Sequence, residues 1–265
     1  MYTVDEKQID LVDYDWKYLA ILDSARYDYF MEIYKEFFVK ETPKLAITST
    51  LSTPDFLKNF ENKNCSDIIY LNTVVKFDEW LPKHNMYKVI HVWDIDWNKQ
   101  LGTTSSESVN KRFFEQYQNH SDKRFVLHYM QPHTPFVSIG GEPTETKEQH
   151  VSNVSKRELS DTIKKYIEQH LSQTQSWSIK KWFHIQPKIV MERYYIEHGT
   201  EGIIEAYKNE IRLGLTCILD AMKQTKGKWV ITADHGVTVG ERGMFGLCHI
   251  DTKEIREVPW LEVTV

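Results

Sequence analysis

Short, uninterrupted apolar runs recur along the chain, and stretches with a helical rhythm separate them. Residues 17–23 (KYLAILD), 45–49 (LAITS), 67–71 (DIIYL), 87–92 (YKVIHV), 124–130 (RFVLHYM), 228–234 (KWVITAD) and 258–263 (VPWLEV) read as strands. Such short apolar runs predict strands covered on both faces. Residues 26–39 (RYDYFMEIYKEFFV), 107–120, 157–170 and 202–223 have helical patterning. A further helix is expected to begin near Pro54, which a first helical turn tolerates, and to continue through DFLKNF. Alternating strands and helices predict an α/β fold with a mostly parallel central sheet and helices on both faces. Residues 140–156 read as a polar surface loop, and 172–195, rich in Trp and Lys, fit neither pattern. The expectation is a single domain over 1–265, with an insertion at 140–200 covering the active site.

The polar residues that close the strands carry the chemical interest, because ligands bind at the carboxyl ends of strands in such sheets. KYLAILD ends at Asp23. RFVLHYMQPH carries His128 near the strand end and His133 just after it. KWVITAD ends at Asp234, followed by His235 and Gly236. Carboxylates with imidazole form a mixed oxygen and nitrogen set suited to zinc, manganese or iron. A cation would also remove the cost of burying carboxylates. Taken singly, each residue has an ordinary explanation: Asp caps helices and turns, His is often structural, and Asp-His-Gly makes a good turn. Their convergence on one rim argues for a site. ITSTLSTPDFL adds hydroxyls at Thr48, Ser49, Thr50, Ser52 and Thr53 just before a helix. There free backbone N–H groups suit a phosphate or sulfate, and a cation would activate the hydroxyl. Ser and Thr are equally the ordinary helix N-caps.

Composition narrows the setting. Of the 265 residues, 41% are hydrophobic and 27% charged, enough for a sizeable core under a soluble surface. A net charge of -5 argues against a nucleic-acid binder while leaving room for a local anion pocket. Cys65, Cys217 and Cys248 are scattered, with neither a disulfide framework nor zinc-knuckle spacing, and read as reduced thiols of a cytoplasmic protein. No run approaches the roughly 18 apolar residues of a membrane span, and the acidic N-terminus lacks an apolar signal region. A cytoplasmic protein without a membrane span is expected.

LAILDSARYD, STLSTPDFL, VLHYMQPHTPF, ITADHG-x-x-x-GERG and REVPWLEV, in that order over about 17–263, resemble the sulfatase-like branch of the alkaline phosphatase superfamily. The resemblance is to short archaeal-type sulfatase-like proteins and, more distantly, to lipoteichoic acid synthase and phosphoglycerol transferases. It implies a metal site from Asp23, Asp234 and His235 with Thr53, and a nucleophile at Thr53 or Ser52. It also implies that His128, His133 and His249 bind substrate or a second metal, and act in catalysis by holding the ester's non-bridging oxygens or protonating the leaving group. Arg26, beside the first Asp, is placed to touch an anionic substrate or to pair with Asp28. The chain departs from the formylglycine sulfatases, which require Cys-x-Pro-x-Arg, since Ser52-Thr53-Pro54-Asp55-Phe56 has neither Cys nor Arg. Ser24 stands where many sulfatases carry a second acid, and Gln131 lies where a second-site Asp would be sought.

These features imply a hydrolase or transferase acting on a phosphoester, or on a sulfate ester, through a Ser or Thr nucleophile. Its cofactor is a divalent cation, Mn or Zn ahead of Ca or Mg, with a weaker second metal on His133 and His249 left open. The substrate expected is small and anionic, such as a sugar- or glycerol-phosphate. The alternative is a non-catalytic member of the fold that binds a glycan or nucleotide.

Overall fold

The computed structural model describes residues 1–143, 171–182, 187, 189–246 and 251–265. The helix expected over 157–170, His249, Cys248 and much of the 140–200 insertion lie outside the described residues.

The strands are β1 (Tyr2–Val4), β2 (Lys7–Ile9), β3 (Tyr18–Leu22), β4 (Lys44–Thr48), β5 (Ile68–Asn72), β6 (Lys88–His91), β7 (Arg124–Tyr129), β8 (Lys228–Thr232), β9 (Thr238–Val239), β10 (Phe245–Gly246) and β11 (Glu257–Thr264). Nine form one sheet in the order β2-β1-β4-β11-β8-β3-β7-β5-β6, and β9 and β10 make a separate hairpin. The core β8-β3-β7-β5-β6 is parallel throughout. Beyond it β11 runs antiparallel to both β8 and β4, so β4 points the same way as the parallel core. The carboxyl ends of β3, β4, β7 and β8 therefore share one rim.

Every residue of β3 and β5 is buried. Side chains alternate faces along a strand, so burial of all of them means both faces are covered. The helix Val190–Met222 contributes to that cover and packs on helices Tyr27–Ile33 and Ser106–Tyr117. Gly214 lets it approach β3, since a Cβ there would collide with the Leu22 side chain.

Several boundaries differ from the sequence expectation. The apolar run before Asp234 leaves the sheet at Thr232, so Asp234 and His235 sit in the connection after β8. The helix expected over 26–39 tightens into a 3₁₀ turn at Tyr34–Glu36. Helix Thr53–Leu57 is likewise short, continuing only as a 3₁₀ turn over Lys58–Phe60. Residues 172–195, unassigned by pattern, contain helix Gln173–Trp182 and the start of Val190–Met222. The N-terminal β1–β2 hairpin was not anticipated. Tyr2, Val4 and Ile9 point into the core, and Asp5 and Glu6 make the turn with positive φ. No helix among the described residues is long and apolar enough to cross a membrane.

Candidate active site

Asp23 follows β3, and its backbone N–H still donates to the Tyr129 carbonyl, so the first carboxylate is fixed by the sheet ladder. The next residue, Ser24, has φ 69°, a conformation that costs a residue with a side chain some strain. This geometry lets Ser24 link two carboxylates. Its N–H donates to Asp234 Oδ1 at 3.0 Å, and its hydroxyl donates to Asp23 Oδ1 at 2.9 Å. Tyr207, from helix Val190–Met222, locks the same turn: its hydroxyl donates to the Ser24 carbonyl and accepts from the Arg26 N–H.

Asp234 and His235 are fully enclosed. Asp234 Oδ1 also accepts from the His235 N–H at 2.9 Å, which leaves Oδ2 to face outward from the turn. There Thr53 Oγ1 donates to Asp234 Oδ2 at 2.8 Å and lies 3.3 Å from His235 Nε2. His235 Nδ1 is 2.7 Å from the Gly236 carbonyl, to which it donates, so Nε2 is the ring atom presented to the cluster. Gly236 is required, because a Cβ at this position would run into the Glu254 carbonyl. Thr48 and Thr50 brace the same turn through contacts to the Asp234 carbonyl.

Asp23, Asp234 and His235 each offer a ligand atom, all within 4.8 Å of one another. Among the described residues no Lys or Arg pairs with either carboxylate; the basic groups beside them are the imidazoles of His128, 3.6 Å from Asp23, and His235, 3.3 Å from Asp234. Two buried carboxylates, an imidazole and a hydroxyl form a four-donor set suited to a borderline divalent cation. The residues present fit the metal that the resemblance implies. The local field agrees. Burial alone would raise Asp23, but His133, His128 and His235 outweigh it and hold the carboxyl below the usual range. Burial alone would lower His235, yet Asp234 and Asp23 raise it above its ordinary value.

The other expected residues are placed as follows. Ser52 Oγ turns away and donates to Asp55 Oδ2 at 3.0 Å. His128 is fully buried within β7, between Tyr70 and Asp23. His133 is half-buried and lines a cavity of about 30 Å³ with Phe136, Met191, Tyr207 and Phe245. Arg26 is engaged by Asp28, Glu241 and the Val237 carbonyl, and stacks on Tyr29. Gln131 is tied to Ser106 and the Thr104 carbonyl. Sequence reasoning missed Tyr70 and Tyr207, whose positions within a strand and a helix look like ordinary core.

No family model matches the sequence, and no curated protein matches it either. Solved structures do match by shape. The soluble domain of lipooligosaccharide phosphoethanolamine transferase A from Neisseria meningitidis is similar with a TM-score of 0.58 at 11% identity, covering 92% of this chain and 75% of that one. The integral membrane form of that transferase gives 0.59 at 10% identity, and this chain spans 48% of its length. The C-terminal periplasmic domain of EcEptC from Escherichia coli, in complex with Zn, gives 0.51 at 12% identity, covering 97% and 75%. At these identities the likeness concerns architecture: the chain shares the fold of these transferase and EcEptC domains.

Proposed function

We propose that the protein is a metal-dependent phosphoester hydrolase or phosphotransferase with Thr53 as its nucleophile. The observation that carries this reading is the Thr53 hydroxyl, 2.8 Å from Asp234 Oδ2 and 3.3 Å from His235 Nε2, in a cluster completed by Asp23. The preference for Thr53 over Ser52 rests on Ser52 being turned to Asp55.

Asp23, Asp234, His235 and Thr53 hold the cation, with Mn or Zn favoured by the mixed donor set. When bound, it supplies Lewis-acid stabilisation of negative charge on the nucleophile and on the ester's non-bridging oxygens. Thr53 Oγ1 attacks phosphorus and releases its proton to solvent, since Asp234 Oδ2, to which it donates in the metal-free protein, would be engaged with the cation. The bond from phosphorus to the leaving oxygen breaks, and His133 protonates that oxygen at the half-buried edge of the site. Water, or a sugar or glycerol hydroxyl, then takes the phosphoryl group from Thr53 and restores the free hydroxyl. A sulfate ester fits the same electrostatics. The neighbours of this fold named as phosphoethanolamine transferase A favour phosphorus and a transfer reaction. Two buried free thiols, Cys65 and Cys217, support a cytoplasmic setting.

The test is the metal content of the purified protein together with turnover of aryl phosphate, phosphodiester and sulfate substrates. Phosphoester turnover that chelator abolishes and Mn or Zn restores is expected, with a phosphoryl group trapped on Thr53 by mass spectrometry. A protein that binds metal but turns over nothing on the panel would return the non-catalytic binding reading.

A further inference from the structure

His128 lies wholly inside the protein, in β7, with Ile21 of β3 as its ladder neighbour. Its ring is fixed on several sides. Phe56, from the same short helix as Thr53, packs edge-on at 6.0 Å between ring centroids. Its carbonyl accepts from the Thr73 hydroxyl at 2.8 Å. On one edge, Nδ1 is 2.8 Å from the hydroxyl of Tyr70, a fully buried phenol on β5 that the proposed reaction does not use. On the other edge, Nε2 is buried without a hydrogen-bond partner among the described residues and lies 3.6 Å from Asp23 Oδ2.

The chemistry of the Tyr70 contact determines what Nε2 does. A phenol is protonated at neutral pH and acts as a donor. No other acceptor for the Tyr70 hydroxyl is recorded among the described residues. If Tyr70 donates, Nδ1 is the acceptor, and the proton of the neutral ring sits on Nε2. That N–H lies beside the Asp23 carboxylate. The separation is too long for a full hydrogen bond but short enough for a strong dipole interaction in a dry site. Asp23 Oδ1 is meanwhile held by the Ser24 hydroxyl.

We infer that Tyr70 and His128 form a positioning pair, in which the tyrosine fixes the histidine as its Nε2–H tautomer so that the ring orients the Asp23 carboxylate for cation binding. This rests on the metal-dependent reading above. It assigns His128 neither to the metal nor to the substrate, in contrast to what the resemblance implies for it. Outer partners of ligating carboxylates and imidazoles commonly govern metal affinity in this way.

The test uses the full chain and the variants Tyr70→Phe and His128→Gln. A long-range proton–nitrogen NMR spectrum of chelator-treated wild type is expected to show His128 protonated at Nε2 and bare at Nδ1. Tyr70→Phe is expected to mix the tautomers. Competition with a chromophoric chelator is then expected to show Mn or Zn affinity reduced by about 10- to 100-fold in Tyr70→Phe. At saturating metal its kcat is expected to recover to within a few-fold of wild type. His128→Gln, whose amide can still donate to Asp23, is expected to bind metal more tightly than His128→Ala. Far-UV circular dichroism in chelator identifies a variant that has lost its fold, and the wild-type tautomer still decides the case. An Nδ1–H tautomer in the wild type, or wild-type affinity in a folded Tyr70→Phe, overturns the inference. A wild type that binds neither metal overturns the reading of the site itself, whereas the tautomer spectrum, recorded without metal, continues to test the pair.

Discussion

Asp234→Asn separates the work of the cluster from its contribution to the fold. Asp234 Oδ1 accepts two backbone N–H groups, from Ser24 at 3.0 Å and His235 at 2.9 Å, while Oδ2 accepts from Thr53 at 2.8 Å. An asparagine satisfies both backbone donors with its carbonyl oxygen, which forces its NH₂ into the place of Oδ2. Thr53 then changes from donor to acceptor and keeps a partner, while His235 Nε2 loses the carboxylate oxygen 3.3 Å away. The ligand oxygen, however, becomes an N–H donor facing the cation position. Metal affinity is therefore expected to collapse, and turnover to fall at least about a hundredfold, as when a single electrostatic element of an active site is removed.

Stability should move the other way. Two carboxylates with ligand atoms within 4.8 Å repel by roughly 3–4 kcal/mol at an effective dielectric of about 20. His235 and His133 offset part of this in the metal-free protein. A net relief of about 1 kcal/mol would raise the unfolding midpoint by about 2–4 °C in a chain of this size. The assay pairs the thermal midpoint in chelator with turnover in added Mn or Zn. A folded variant with wild-type turnover would remove Asp234 from the mechanism, and a clear drop of the midpoint in chelator would refute the repulsion argument.

Thr53→Ala is expected to abolish phosphoryl trapping and lower turnover by at least about a hundredfold, while Ser52→Ala stays within a few-fold of wild type in the same assay. Glu210 is wholly buried, its Oε1 accepts from the Ser138 N–H, and its Oε2 has no hydrogen-bond partner among the described residues. Burial raises its pKa above the ordinary value, so folding shifts its equilibrium toward the protonated form. Its contribution to stability is complete below the unfolded carboxyl pKa and is lost as pH rises through the folded one. Glu210→Gln is therefore expected to gain stability relative to wild type on going from pH 4 to pH 7 in urea unfolding, and a constant difference would refute this. Gly236→Ala is expected to displace His235, because the added Cβ meets the Glu254 carbonyl. Chelator competition should show weakened metal binding at near-native secondary structure, and unchanged affinity would show that the turn can yield.

The parallel core was legible because its strands are apolar on both faces, and that pattern survives without knowledge of any partner. The N-terminal hairpin was not, since only Tyr2, Val4 and Ile9 mark it among acidic residues, and its turn depends on Asp5 and Glu6 adopting positive φ. Of the candidate site, the convergence was legible where strand ends carry it: Asp23, Asp234 and His235 do come together. What escaped were properties that depend on distant chain segments. Arg26 stands three residues after Asp23, so it looked available to a substrate anion, yet Glu241, 215 residues away, together with Asp28 determines where its guanidinium goes. The resemblance sets Ser24 where many sulfatases carry an acid. Its left-handed backbone, held by Tyr207, converts that departure into a link between the two carboxylates. A second acid there would add negative charge beside Asp23, whereas a hydroxyl adds a donor to it. This cluster thus holds its carboxylates together with hydrogen bonds, which is why absence of the proposed cation is expected to leave the fold standing.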